Sequence, residues 1–176
     1  MGSHFINPTV DSDSAYQLLN PRKFFSFKRK PRCRLEAICL PCRKVIRVGS
    51  CGDPDLEILV NGYGHSAQLI RSIEQSPDGG AFSAEFDYPL SDETTLQLAE
   101  KMILSWTLNR VIRVLNESSD YQLGDIIQYP FWVGYSENPN QQVSFRIFDA
   151  VTGRIAGHDV RDGFLIALKT KNLPSH

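Results

Sequence analysis

The sequence predicts an α+β protein, with an antiparallel sheet of about six strands packed on one long central helix. Three observations carry this. Short alternating apolar segments bounded by Pro, Gly and Asn recur along much of the chain, which is the mark of extended structure. One stretch, 92–116, places its apolar residues at helical spacing instead. The extended regions before and after that stretch resemble each other, which suggests an internal duplication of a β-β-β-α unit.

Taken in order, residues 1–34 read as a peripheral N-terminal arm carrying a basic, aromatic stretch, and 35–176 as a single α+β domain. In the arm, 15–19 make one helical turn before Pro21. Residues 35–40 and 44–48 read as two strands broken at Pro41, because proline has no N–H for a ladder. After a turn at 49–55, Leu56, Ile58 and Val60 alternate with Glu57 and Leu59, and Asn61-Gly62 ends that strand. Leu69, Ile70 and Ile73 share a helical face, so a short helix is expected from Ser66, as its N-cap, to about Gln75. Ser76 to Gly80 stops it, and 81–88 reads as a strand.

The helix expected over 92–116 has Ser91 or Asp92 as cap, with Asp92 and Glu93 at the positive end of its dipole. Its apolar rows are Leu104, Leu108, Val111, Leu115 and Leu96, Ala99, Ile103, Trp106, and Arg110 and Arg113 suit its negative end. Residues 126–135 and 143–148 read as strands around a turn at 137–140. Asp149 to Gly153 is a further turn, and Asp159 caps a closing helix with Val160, Phe164, Ile166 and Leu168 inward.

The duplication pairs half-repeats 35–75 and 124–170 at an offset of 88 or 89, with one residue slipped. Pro41 matches Pro130, and each third strand ends in Asn or Asp. Within the second half, Tyr129-Pro130-Phe131-Trp132-Val133-Gly134-Tyr135 is followed by Val143 to Ile155, which contains Asp149-Ala150-Val151-Thr152-Gly153. This stretch, 126–155, resembles a PepSY-type hairpin module. The resemblance implies a small α+β binding or regulatory module without catalytic residues.

At 176 residues, with 41 % hydrophobic and 22 % charged residues, the chain suits one soluble domain rather than a disordered or fibrous one. No run of 18 apolar residues suggests a membrane span, and no secretory signal opens the chain, so a cytoplasmic, reducing setting is expected. The net charge of −1 conceals an asymmetry. Residues 1–50 hold ten Lys or Arg against three Asp or Glu, and the remaining 126 hold nine against seventeen.

Four cysteines, Cys33, Cys39, Cys42 and Cys51, lie within nineteen residues. Cys39-Leu40-Pro41-Cys42 has the spacing of half a zinc site, with Cys33 and Cys51 to complete it. The favoured reading is buried structural cysteines, since the flanks read as strands, with zinc and redox chemistry as alternatives. No catalytic motif is indicated: Gly64-His65-Ser66 lacks the second glycine of a nucleophile elbow, and His158-Asp159 fits a helix cap.

Two candidate binding features remain. Tyr129, Phe131 and Tyr135 alternate on one strand face with Trp132 on the other, residue types enriched at protein interfaces. Arg22, Lys23, Lys28, Arg29, Lys30, Arg32 and Arg34, interleaved with phenylalanines, suit phosphate contact and base stacking. The leading expectation is therefore a non-enzymatic protein-interaction, scaffold or adaptor subunit, with another protein or a second copy as partner. A nucleic-acid-binding accessory protein is the alternative, and an enzyme of unrecognised type the third.

Overall fold

The computed structural model describes residues 4–19, 34–48, 56–64, 66–71, 74–109, 120–137 and 143–172. In chain order the elements are β1 (His4–Ile6), α1 (Ser12–Leu19), β2 (Arg34–Val48), β3 (Leu56–Asn61), β4 (Ala67–Arg71), β5 (Gln75–Ser76) and β6 (Ser83–Ala84). They continue with α2 (Asp92–Asn109), β7 (Asp120–Glu137), β8 (Val143–Asp149), β9 (Arg154–Ile155) and α3 (His158–Asn172). The fold is α+β, and the sheet is mixed but mostly antiparallel.

Its spine is β2 against β7, antiparallel from Arg34↔Tyr135 to Val48↔Asp120. Beyond β2 lie β3 and then β4; beyond β7 lie β8 and then β9. Short strands fill the remaining half-edges. β6 pairs β2 in parallel at Ile38 and Cys39, and β1 pairs β7 in parallel at Ile127 and Gln128. β2 is continuous through Pro41, where the sequence suggests a break. The Pro41 carbonyl accepts from Gly62 N–H, so its imino side faces β3, in the gap between the β6 and β3 ladders. No bond to β7 is lost there. Pro130 sits likewise, its carbonyl accepting from Ala150 N–H.

Alternation sorts the side chains into two faces. On the front, Leu40, Cys42, Leu59, Ile127, Tyr129, Phe131, Val133 and Ile147 pack under Phe164 and Ala167 of α3. On the back, Cys39, Trp132 and Phe148 pack with Ala15 and Leu19 of α1 and with Phe82. Further along the back, Val45, Ile58 and Val60 meet Ala99, Leu96 and Ile103 of α2. Ser91 caps α2, its Oγ accepting the Thr94 N–H at 3.2 Å, as its sequence position predicts. Leu104 of the other apolar row is 53 % exposed. Among the described residues no helix is long and apolar enough to cross a membrane.

The short helix expected at 66–75 is instead strand β4, paired with β3 from Val60↔Ala67 to Leu56↔Arg71. Pairing with the neighbouring strand outweighs the local spacing of Leu69 and Ile70. The arm is not peripheral over 4–19. Ile6 is buried between β7 and β5, and the Trp132 Nε1–H donates to the Val10 carbonyl at 2.9 Å.

The sheet has a quasi-twofold repeat. Leu40 and Tyr129, 89 apart, face each other across the spine. The β3–β4 register, Val60↔Ala67, becomes the β8–β9 register, Phe148↔Ile155, on adding 88 to each number. The helices do not follow, since α2 lies on the back and α3 on the front. The repeat is thus one of strands alone.

Helix α3 meets the turn after β3 backbone to backbone. A Cβ on Gly163 would lie 2.8 Å from Gly64 N and 2.9 Å from Gly64 Cα. Gly163→Ala is therefore expected to destabilise the fold by about 1–3 kcal/mol, despite the gain of roughly 1 kcal/mol in helix propensity. The measurement is the urea midpoint, which falls if this contact is tight and rises if propensity alone matters.

Candidate functional site

The strand repeat places two equivalent polar turns at the ends of β3 and β8. Asn61 Oδ1 accepts from Tyr63 N–H at 2.9 Å and Gly64 N–H at 3.0 Å. Asp149 Oδ1 accepts from Val151 N–H at 2.8 Å and Thr152 N–H at 2.9 Å. A short side-chain oxygen that satisfies the amides two and three residues on is the reason Asn and Asp stand at these positions. Gly153 closes the second turn at φ 71°, a left-handed conformation that favours glycine.

Between these turns, on the front face, lies a cavity of about 290 Å³. Cys42, Leu59, Tyr129 and Phe131 line it from the strands, and Ser66, Gln68, Thr152 and Arg154 supply further polar groups. Its centre is a tyrosine–carboxylate pair, with Tyr129 Oη donating to Asp149 at 3.1 Å from Oδ1 and 3.0 Å from Oδ2. Burial, and then the Asp149 charge, push the phenol well above its ordinary value, so it remains a donor at any physiological pH. Burial likewise holds the Cys42 thiol well above the ordinary range, with a smaller push from Cys39 and Asp149. The cavity therefore presents a protonated thiol and phenol and an engaged carboxylate: hydrogen-bonding groups rather than an activated nucleophile.

A second cavity of about 280 Å³ adjoins the first through Ile155, Ala156 and Gly157. Phe145 and Ile147 of β8 line it, with His158 and Arg161 of α3. The Arg161 guanidinium lies 5.3 Å from the centre of the Phe145 ring, a cation–π contact. None of Arg146, Arg154 and Arg161 forms an ion pair among the described residues.

The aromatic residues singled out in the sequence are separated from solvent to different degrees. Tyr129, Phe131 and Trp132 are 1 %, 3 % and 7 % exposed, because α3 covers the front of β7 and α1 with Phe82 covers its back. These three are core residues, and Tyr129 and Phe131 also line the first cavity. Tyr135 is half-buried, with its ring 6.4 Å from that of Phe145 beside the second cavity. Of the basic stretch, Arg34 opens β2 and pairs with Glu36 at 2.9 Å. Arg22, Lys23, Lys28, Arg29, Lys30 and Arg32 lie outside the described residues.

Cys39 and Cys42 are both buried and free, but they belong to opposite faces of β2. Three residues along an extended strand reverse the side-chain direction, so the pair does not converge on one ion. Cys33, Cys51 and His65 lie outside the described residues. Among the described residues no three His, Cys, Asp or Glu side chains gather as a metal site. Ser66, expected as a helix cap, instead lines the first cavity.

Asn61 and Asp149 were not singled out as site residues. The signal for them is the shared Asn or Asp at the end of each half-repeat's third strand. Comparison with protein families, curated proteins and solved structures finds no match to this chain.

Burial raises the Cys39 thiol from 9.0 to about 12. Its folded value lies above its unfolded one, so its stabilising contribution is complete below pH 9.0 and is lost as pH rises toward 12. Iodoacetamide at pH 8, with the sites mapped by mass spectrometry, should leave Cys39 and Cys42 unmodified in the native protein and alkylate both in urea. Rapid native alkylation of either would contradict the buried, protonated state.

Proposed function

We propose that this chain is a non-enzymatic interaction protein, an adaptor that receives a segment of a partner protein on its front face. The observation that supports this is the pair of adjoining cavities beside β9. Each is large enough for one or two side chains and small for a dinucleotide-sized cofactor. Their walls combine apolar surface with a few fixed hydrogen-bonding groups, the mixture that orients a bound segment. The groups that would serve as nucleophiles hold their protons, which favours binding over covalent chemistry. The resemblance of 126–155 to a PepSY-type hairpin points to the same class, and two buried free thiols fit a cytoplasmic, reducing setting.

Ile155 lines both cavities and is 61 % exposed, so it can be changed without emptying the core. A displayed library of random dodecapeptides should yield sequences that bind the wild-type protein. Ile155→Ser should weaken them at least tenfold while leaving the urea midpoint in place. A library that enriches nothing, or peptides indifferent to Ile155→Ser, would refute the reading.

A further inference from the structure

We infer that the outer edge of β8 accepts an extended, acidic segment of the partner as an added strand, in the position that β4 occupies on β3 in the other half of the sheet. The inference rests on the interaction reading above and names the partner's form and charge.

The strand repeat supplies the argument. β4 runs along β3 for five residues, from Val60↔Ala67 to Leu56↔Arg71. Its counterpart β9 runs along β8 for two, Phe148↔Ile155 and Asp149↔Arg154, before the chain turns into α3 at His158. The contact is extended by one bond, from Ala156 N–H to the Ile147 carbonyl. On adding 88, the place held by Ile70 opposite Glu57 falls at His158, which is helix, opposite Phe145, which is strand. The edge of β8 ahead of Ile147 therefore has no strand partner among the described residues.

Alternation fixes what that edge displays. The Ile147 carbonyl points outward to Ala156, so the Phe145 N–H and C=O, two residues back, point outward as well. A main-chain donor and acceptor at the lip of a 280 Å³ cavity suit strand addition, in which backbone bonds give affinity and alternate side chains enter pockets.

The charge selects an acidic segment. On the front, Arg161 lies over the Phe145 ring; on the back, alternation from buried Phe148 places the exposed Arg146. An added strand thus meets on each face a guanidinium without an ion pair among the described residues, with Arg154 beside it on β9. Among the described residues the one carboxylate that lines either cavity, Asp149, is engaged by Tyr129 and two backbone amides. A glutamate on the incoming strand lays its methylenes on Phe145 and Ile155 and its carboxylate on Arg161.

The test uses the described protein with three labelled, end-blocked nonapeptides: Glu alternating with Val, Lys alternating with Val, and the Glu peptide N-methylated at every second amide. Fluorescence polarisation should show the Glu peptide binding at least tenfold more tightly than either other peptide. The Phe145 amide should become protected from hydrogen exchange in its presence. The double variant Arg146→Glu and Arg161→Glu, both at exposed positions, should reverse the preference toward the Lys peptide. Binding that survives N-methylation, a Phe145 amide that stays unprotected, or an unchanged preference in the double variant would overturn the inference. If these probes fail while library peptides still bind in an Ile155-dependent way, strand addition is refuted and the interaction reading stands. If neither binds, both fall.

Discussion

The antiparallel pairing of β2 with β7 is the constraint on which the rest of the structure depends. Each strand is long enough to be shared by several neighbours, so each carries a different partner along each half of its outer edge. Because both faces of this ribbon are covered, its side chains are apolar on both sides, with Leu40 and Tyr129 on the front and Cys39 and Trp132 on the back. Roughly 25 cal/mol per Å² of buried apolar surface makes such a doubly covered spine the main source of stability in a fold of this size. The two internal prolines are tolerated because each turns its missing donor toward a seam between neighbours.

The polar cavity follows from the same ribbon. Tyr129 stands at the repeat's centre, and the turns at Asn61 and Asp149 flank it because the two hairpins leave the spine in equivalent ways. Where the first turn has the neutral Asn61 the second has the carboxylate of Asp149, and the phenol donates to that charged member. The site is held from above by Gly163 against Gly64 and by the aromatic chain of Tyr63, Phe86 and Phe164. A partner would thus meet a largely preformed surface, which lowers the ordering cost of binding.

Much of this was legible in the sequence, and the exceptions share one cause. The α+β class, the start of α2 and the repeat at 88 or 89 could be read because each rests on local pattern: alternation, a cap, a proline at matched positions. The slipped residue is real in the structure, since the spine repeats at 89 and the hairpins at 88. What could not be read was pairing between distant segments. Leu69 and Ile70 look helical until β3 lies beside them. Phe5 and Ile6 look like part of a polar arm until β7 and β5 enclose them. Trp132 looks available until α1, more than a hundred residues earlier in the chain, covers it. For the site, Asn61 and Asp149 could be found as a matched pair, whereas their place with Tyr129 around one cavity required the sheet.

The placement of β1 has a consequence for how the molecule is made. A strand of three residues at the start of the chain lies parallel to β7, and β2 takes its longest partner from the same late segment. β1 cannot dock until Ile127, 123 residues after His4, has been made, and β2 cannot begin to until Asp120, 72 residues after Val48, has been made. Through that interval β2 presents an unsatisfied edge and two apolar faces to solvent, the kind of surface that exposes a folding chain to aggregation. With so many contacts between remote residues, closure of the spine should be slow and should set the pace of folding. Completion of the sheet is then governed by β7 and the strands that follow it.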